Sequence, residues 1–305
     1  MARRKGFFGM LKAAFSDFSE DDCTTQAAAL SYYTVFSLPP LLVLIILVAG
    51  VVFDPADVQH AIQSQFQGLI GPSAGQAIES ILVHAQRPEG RGLTTVLGVA
   101  ALVFGAGGAF LQLQAALNRA WEVKPDPKQG GIRNFLVKRL FSLAMVMGLA
   151  FLLLVSLAVS ALLSALGGAV SRLLPGLSEV LLLLINHAVS LVVTTALFAT
   201  IFRYLPDAEV RFRDVWVGAL VTAVLFEAGK FAIGFYLGQS NPGQAFGAAG
   251  SLALVLVWIY YSSMLVLFGS EFTQVWATER GQGIEPEDGA VRVIEETREV
   301  RPGTR

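Results

Sequence analysis

Glu227 and Lys230 stand three residues apart inside an otherwise apolar stretch, which sets them on neighbouring positions of one helical face. Counted from Val215, they lie about 18 and 22 Å along the helix axis, well inside a bilayer's hydrocarbon. A charge facing lipid there costs several kcal/mol, so the two must pair with each other or a neighbour and turn inward. Such a pair can meet a headgroup, a proton or a sodium ion, or it can be a neutralised strut that fixes helix packing. Pro39 and Pro40 carry a second kind of chemistry. Neither has an amide hydrogen, so the carbonyls of Val35 and Phe36 lose their helical partners. The expectation is a broken helix, with Tyr33 among the hydroxyls of Ser31, Tyr32, Thr34 and Ser37 drawn into the membrane or its edge. Freed carbonyls must face protein, water or a ligand. A kink satisfied by neighbouring hydroxyls is the competing reading. Asn118, with Gln112 and Gln114, adds polarity at one end of a glycine-rich run. His187 is the one histidine in an apolar run and can titrate near neutral pH, although a lone histidine there also serves as a packing residue. Glu271 falls late in the last apolar run and reads as a helix-end anchor at the interface.

The elements that must position these residues are membrane spans. Of 305 residues 54% are apolar and 15% charged, against roughly 25% charged in soluble domains, and the mean hydropathy is +0.61. Residues 23–53, 92–118, 140–171, 180–202 and 231–270 contain no Asp, Glu, Lys or Arg. A span needs about 20 apolar residues, so a soluble enzyme is excluded. The unbroken runs also argue against a porin-like barrel, whose strands are short and alternating. The fold class expected is an all-α polytopic membrane bundle of six transmembrane helices, at about 27–53, 94–117, 140–164, 180–202, 215–237 and 247–272. Basic residues fix the orientation. The N-terminus, the second and fourth loops and the tail carry four, six, three and five of the 22, against three in the other loops. That bias places both termini in the cytoplasm.

Three domains follow: a cytoplasmic amphipathic segment at 1–26, the six-span region at 27–276 and a tail at 277–305. The tail's mix of Glu, Asp, Arg, Gly and Pro predicts disorder. Phe7, Phe8, Leu11, Phe15 and Phe18 recur at helical spacing behind Arg3, Arg4 and Lys5, which suits a helix on the inner leaflet with basic residues toward anionic headgroups. In the outer loop, 54–93, Asp54-Pro55 can start a helix with Val58, Ile62, Phe66 and Leu69 on one face. A second stripe runs from Ala74 to Ala85. Ala101, Gly105 and Ala109 at four-residue spacing predict close helix packing.

Negative signals narrow the chemistry. There is no nucleophile elbow, His-Glu-x-x-His, Walker loop or dinucleotide fingerprint. His60 and His84 lack metal-ligand spacing, and the single Cys23 cannot build a thiolate zinc site. No catalytic residue, metal or cofactor is therefore assigned. The basic second loop lacks the interleaved aromatics of a base-stacking surface, so the partners expected are membrane lipids and an envelope lipid or small solute, with no nucleic acid.

Several motifs together resemble the YihY/BrkB family of bacterial inner-membrane proteins. They are Ala27-Ala28-Ala29-Leu30-Ser31-Tyr32-Tyr33-Thr34 leading to Pro39-Pro40, and Ala116-Leu117-Asn118-Arg119-Ala120-Trp121. Tyr204-Leu205-Pro206 with Arg211-Phe212 and Gly218-Ala219 follows, then Phe226-Glu227-x-x-Lys230, Phe246-Gly247, Trp258-Ile259-Tyr260 and Gly269-Ser270-Glu271. The last motif more usually reads Gly-Ala-Glu. The resemblance covers about residues 20–276 and implies a multi-pass protein of the bacterial inner membrane. Relatives have carried a ribonuclease BN label or been linked to serum resistance, envelope lipid export or cation/proton exchange. The nuclease label finds no clustered carboxylates or histidines here to hold catalytic metals.

The function expected is transport-related: movement of a lipid, amphiphile or other solute, ion-coupled or partner-driven because no ATP motif is present. The alternative is a non-transporting scaffold for envelope assembly. A polar cavity lined by Tyr33, Asn118 and Glu227 would favour the first reading, a dry packed interior the second.

Overall fold

The computed structural model describes residues 5–51, 53–70, 75, 78–79, 93–126, 177–239 and 248–293. The third expected span, most of the second loop and most of the stripe from Ala74 to Ala85 lie outside these residues. Among the described residues there are seven helices: α1 (Phe7–Glu20), α2 (Cys23–Ala49), α3 (Pro55–Ile70), α4 (Leu93–Ala120), α5 (Leu177–Tyr204), α6 (Phe212–Gln239) and α7 (Ala248–Arg280). Three contain stretches long and apolar enough to cross a membrane: His187–Tyr204, Phe212–Ala232 and Leu252–Arg280. These match the fourth, fifth and sixth expected spans.

α2 corrects the first. It begins at Cys23 and runs unbroken through Pro39 and Pro40. The polar residues 31–37 are turns of one helix of about 40 Å, not a separate segment entering the membrane. The proline region is supported from the side. Gly108 of α4 lets the Ser37 hydroxyl and the Tyr33 ring approach within 3.3 and 3.7 Å of where a Cβ would stand, and the Ala109 amide donates to Ser37 Oγ at 3.2 Å. Starting just before the prolines, Leu38, Leu42, Ile46 and Ala49 pack on Val58, Ile62 and Phe66 of α3. Asp54 Oδ1 accepts from the Ala56 amide at 2.8 Å, so α3 starts on the cap that Asp54-Pro55 implies. Phe66 also reaches Val255 and Trp258 of α7.

A reciprocal packing device joins α6 to α7. Gly218 and Thr222 of one helix face Gly269 and Thr273 of the other, crosswise: Thr273 fills the space over Gly218, and Thr222 the space over Gly269. Each threonine is fully buried and turns its hydroxyl to its own helix, Thr222 Oγ1 donating to Gly218 O at 2.8 Å and Thr273 Oγ1 to Gly269 O at 2.6 Å. Glycine beneath threonine lets the backbones approach while every polar atom is bonded.

One end of the bundle is woven shut. Two short antiparallel ladders join β1 (Val123–Pro125) to β4 (Ala290–Arg292) and β2 (Ala208–Glu209) to β3 (Glu285–Pro286). This corrects the expected disorder of the tail as far as Val293. α7 continues to Arg280, Ile284 is buried in the main core, and Gly283 and Gly289, at φ +82° and +91°, supply the left-handed turns. A single apolar anchor plus backbone pairing orders a segment that its composition leaves polar.

Candidate functional site

Polar residues gather at two levels. The deeper is the crevice between α5 and α6. Glu227 lies about 22 Å from the start of α6, where its Oε2 meets Lys230 Nζ at 2.9 Å. Its Oε1 accepts from Ser190 Oγ of α5, also at 2.9 Å. The pair expected from sequence therefore forms, and Ser190 is a third member that spacing within α6 could not reveal. The side chains keep 14% (Glu227) and 28% (Lys230) of their surface accessible. A charge pair with both carboxylate oxygens engaged is tolerable at this depth. His187, one turn along α5, is exposed and lies 5.7 Å from the Phe231 ring.

Aromatic packing shapes the floor of the crevice. Phe226 lies edge-on to both Phe198 and Trp258, and Trp258 neighbours Tyr261 at 6.4 Å. Gly229 leaves the space that the Tyr261 hydroxyl occupies. Trp258 and Tyr261 are packing residues here. Further along the same two helices Leu191, Val192 and Thr195 of α5 and Trp216, Val217 and Leu220 of α6 line an open groove of about 370 Å³. Its one hydroxyl, Thr195 Oγ1, is spent on Leu191 O at 2.6 Å. The groove is therefore apolar, and it ends about 10 Å short of the Glu227–Lys230 pair along α6.

The second level is the woven end. Asn118 does not join Glu227. Its Nδ2 donates to Asp207 Oδ2 at 2.8 Å, its Oδ1 accepts from the Asp207 amide at 2.8 Å, and Gln114 Nε2 reaches Asp207 Oδ1 at 3.3 Å. This amide–carboxylate clasp ties the end of α4 to the turn after α5, roughly 20 Å from Ser190. Tyr33 is a third, separate place: half exposed, its ring 5.8 Å from that of Tyr32. Among the described residues Tyr33, Asn118 and Glu227 thus stand apart, because α4 presents its polar end to the turn after α5 and not to the crevice.

Glu271 is corrected more sharply. It is no exposed helix-end anchor but fully buried, Oε1 accepting from Cys23 Sγ at 3.5 Å and Oε2 unpartnered among the described residues. Trp121 is buried beside it and donates its indole N–H to Ser270 O at 3.1 Å. Burial pushes the Cys23 thiol well above its ordinary range, helped by the Glu271 charge. Burial likewise raises the pKa values of Asp17 and Asp21, for Asp21 against the opposing pull of Arg119. Among the described residues no group of three or more His, Cys, Asp or Glu side chains is placed to hold a metal ion.

This frame is a shared one. A family model described as Virulence factor BrkB matches residues 14–292. The chain belongs to the BrkB family. Curated relatives of this family carry the name UPF0761 membrane protein. That of Pseudomonas paraeruginosa is 32% identical over 256 residues, covering 83% of this chain and 59% of the relative. That of Alkalilimnicola ehrlichii is 30% identical over 269 residues, covering 86% and 56%. That of Alcanivorax borkumensis is 32% identical over 281 residues, covering 88% and 61%. The chain spans about three-fifths of the length of these BrkB-family relatives. No solved structure matches it. With the apolar helices, this makes the protein an integral membrane protein of a bacterial family.

Proposed function

We propose that this BrkB-family protein is a six-span inner-membrane protein, both termini cytoplasmic, that moves an amphiphile or other envelope solute through the α5–α6 crevice. The observation that carries the reading is the Ser190–Glu227–Lys230 constellation. It sets an ion pair within an apolar helix long enough to span a membrane and keeps part of its surface accessible, where a pure packing device would be sealed. An apolar groove follows along the same two helices. One crevice therefore offers a charge pair to a polar headgroup and an apolar wall to the chain attached to it. α2 and α4, at 27 and 28 residues, are long enough to supply further spans. The sequence holds no nucleotide-binding motif, so uphill movement would draw on an ion gradient or a partner protein.

A second reading, a scaffold for envelope assembly, is favoured by the woven end, where the tail ties two loops into one rigid surface. Reconstituted vesicles separate the two, with lipid scrambling and pH-gradient-driven cation flux followed independently. The transport reading expects one of these activities in wild type and its loss in Glu227→Gln. Wild-type vesicles that match empty ones in both assays overturn it.

A further inference from the structure

α1 has two faces of different character. Met10, Ala14 and Phe18 are buried, the first two against Phe272 and Val275 of α7. The Phe7 ring meets that of Phe272 at 5.8 Å, and Lys5 Nζ meets Glu279 Oε1 at 3.3 Å. These contacts fix the helix across the end of a span. The other face recurs at 8, 12, 15 and 19, one stripe of a helix. Phe8 and Phe15 on it are 85% and 64% exposed, and Lys12 between them is exposed as well. The acidic groups of α1, Asp17 and Glu20, stand off this stripe. Two outward phenylalanines flanking Lys12 make a surface that is apolar and basic at once.

We propose that this stripe is a docking surface for anionic phospholipid at the membrane face where α1 lies, Phe8 and Phe15 entering the acyl boundary while Lys12 engages headgroup phosphates. The charge selects the occupant. An apolar protein partner would meet Lys12 with a desolvation cost, whereas an anionic leaflet rewards each such cation by about a fivefold preference near the surface. The anchoring of the opposite face decides the depth: α1 cannot lift away without stripping Met10 and Ala14 from α7, so its outward side chains sit where the end of a span meets the headgroups. Trp276, packed in the same cluster under the Arg280 guanidinium at 4.7 Å, continues this band as an interfacial aromatic.

Spin labels on the full chain test the assignment, Cys23 being buried and out of a label's reach. Labels replacing Phe8 and Phe15 in phosphatidylglycerol-containing vesicles should collide with oxygen in preference to an aqueous nickel chelate, whereas a label replacing Glu20 should show the reverse. Headgroup-labelled phosphatidylglycerol should broaden the position-15 spectrum more than headgroup-labelled phosphatidylcholine at equal mole fraction, and Lys12→Gln should cut that enrichment by about fivefold. Nickel access at 8 and 15 equal to that at 20 overturns the proposal. So does protection from both reagents, which would mean a protein covers the stripe, and so does equal broadening by the two lipids.

Discussion

Replacing Gly269 by alanine adds one methyl group, and the helix crossing sets the sign of its effect. On intrinsic propensity alone the change favours a helix by up to about 1 kcal/mol. At this position the new Cβ would run into Thr222 Oγ1, with Thr222 Cβ 2.9 Å and Cγ2 3.1 Å away. Thr222 cannot swing aside, because it is fully buried and its hydroxyl is committed to Gly218 O. α6 and α7 must therefore part, loosening the mirrored contact of Thr273 on Gly218 one turn away. Overpacking of this kind costs roughly 1–3 kcal/mol, so after the propensity gain the net effect should be a loss of up to about 2 kcal/mol. Gly9 of α1 provides the same chemical change without the clash. A Cβ there meets only the flexible Lys5 side chain at 3.3 Å, and Gly9→Ala should hold or raise stability. Unfolding in detergent, followed by tryptophan fluorescence, reads both. In the double variant Gly269→Ala/Thr222→Ala, removing Oγ1 and Cγ2 relieves two of the three contacts. Its loss should fall short of the sum of the single variants by more than about 0.5 kcal/mol. If Gly269→Ala stabilises as Gly9→Ala does, or if the two losses simply add, the crosswise glycine–threonine account of this interface is refuted.

Asn118→Ala removes both hydrogen bonds of the clasp to Asp207 and should lower stability by about 1–3 kcal/mol, with faster amide exchange at Ala208 and Glu209 while the crevice residues are unaffected. The Cys23 thiol, buried and with its pKa raised by that burial, should resist maleimide in the native protein and react fully once denatured; rapid native labelling would contradict the Cys23–Glu271 contact. Asp21 has a folded pKa raised above 3.8 by burial, so the stability it contributes is present below that value and lost as pH rises through the raised one. Asp21→Asn should accordingly raise the unfolding midpoint at pH 7, and the gain should shrink toward zero as pH falls to about 4. A gain constant across that range would show that charge is not its source.

The membrane class, the fourth, fifth and sixth spans and α3 were legible because they depend on patterns local to the chain: unbroken apolar runs and the Asp54-Pro55 start. The proline break failed for an equally physical reason. Pro39 and Pro40 each remove a donor within α2, but the decision between a break and a continuous helix rests with α4, whose Gly108 and Ala109 bring backbone against Ser37. No property of residues 31–40 alone encodes that support. The tail misled in the opposite direction, since ladders to Val123–Pro125 and Ala208–Glu209 are made by backbone atoms and leave almost no trace in composition.

The two deep carboxylates show why one site could be read and the other could not. Glu227 carries its counter-charge on its own helix at i+3, so the cost of burying it is met largely within α6, whichever helix packs alongside. Ser190 then adds one bond from α5, and the pair persists as a local fact of sequence. Glu271 has no basic residue within one turn on either side. Its partner Cys23 lies 248 residues away in sequence, the Asp21 carboxyl lies close to it, and Trp121 and the start of α2 enclose it. Its surroundings exist only once α2, α4 and α7 have met. Glu271 therefore reports tertiary packing where Glu227 reports local pairing. Glu271→Gln should consequently keep the shape of the side chain and preserve stability. Glu271→Ala should leave a void and cost about 2–4 kcal/mol. Equal losses in both variants would mean that the carboxyl group itself, not the volume and shape of the side chain, holds the three helices together.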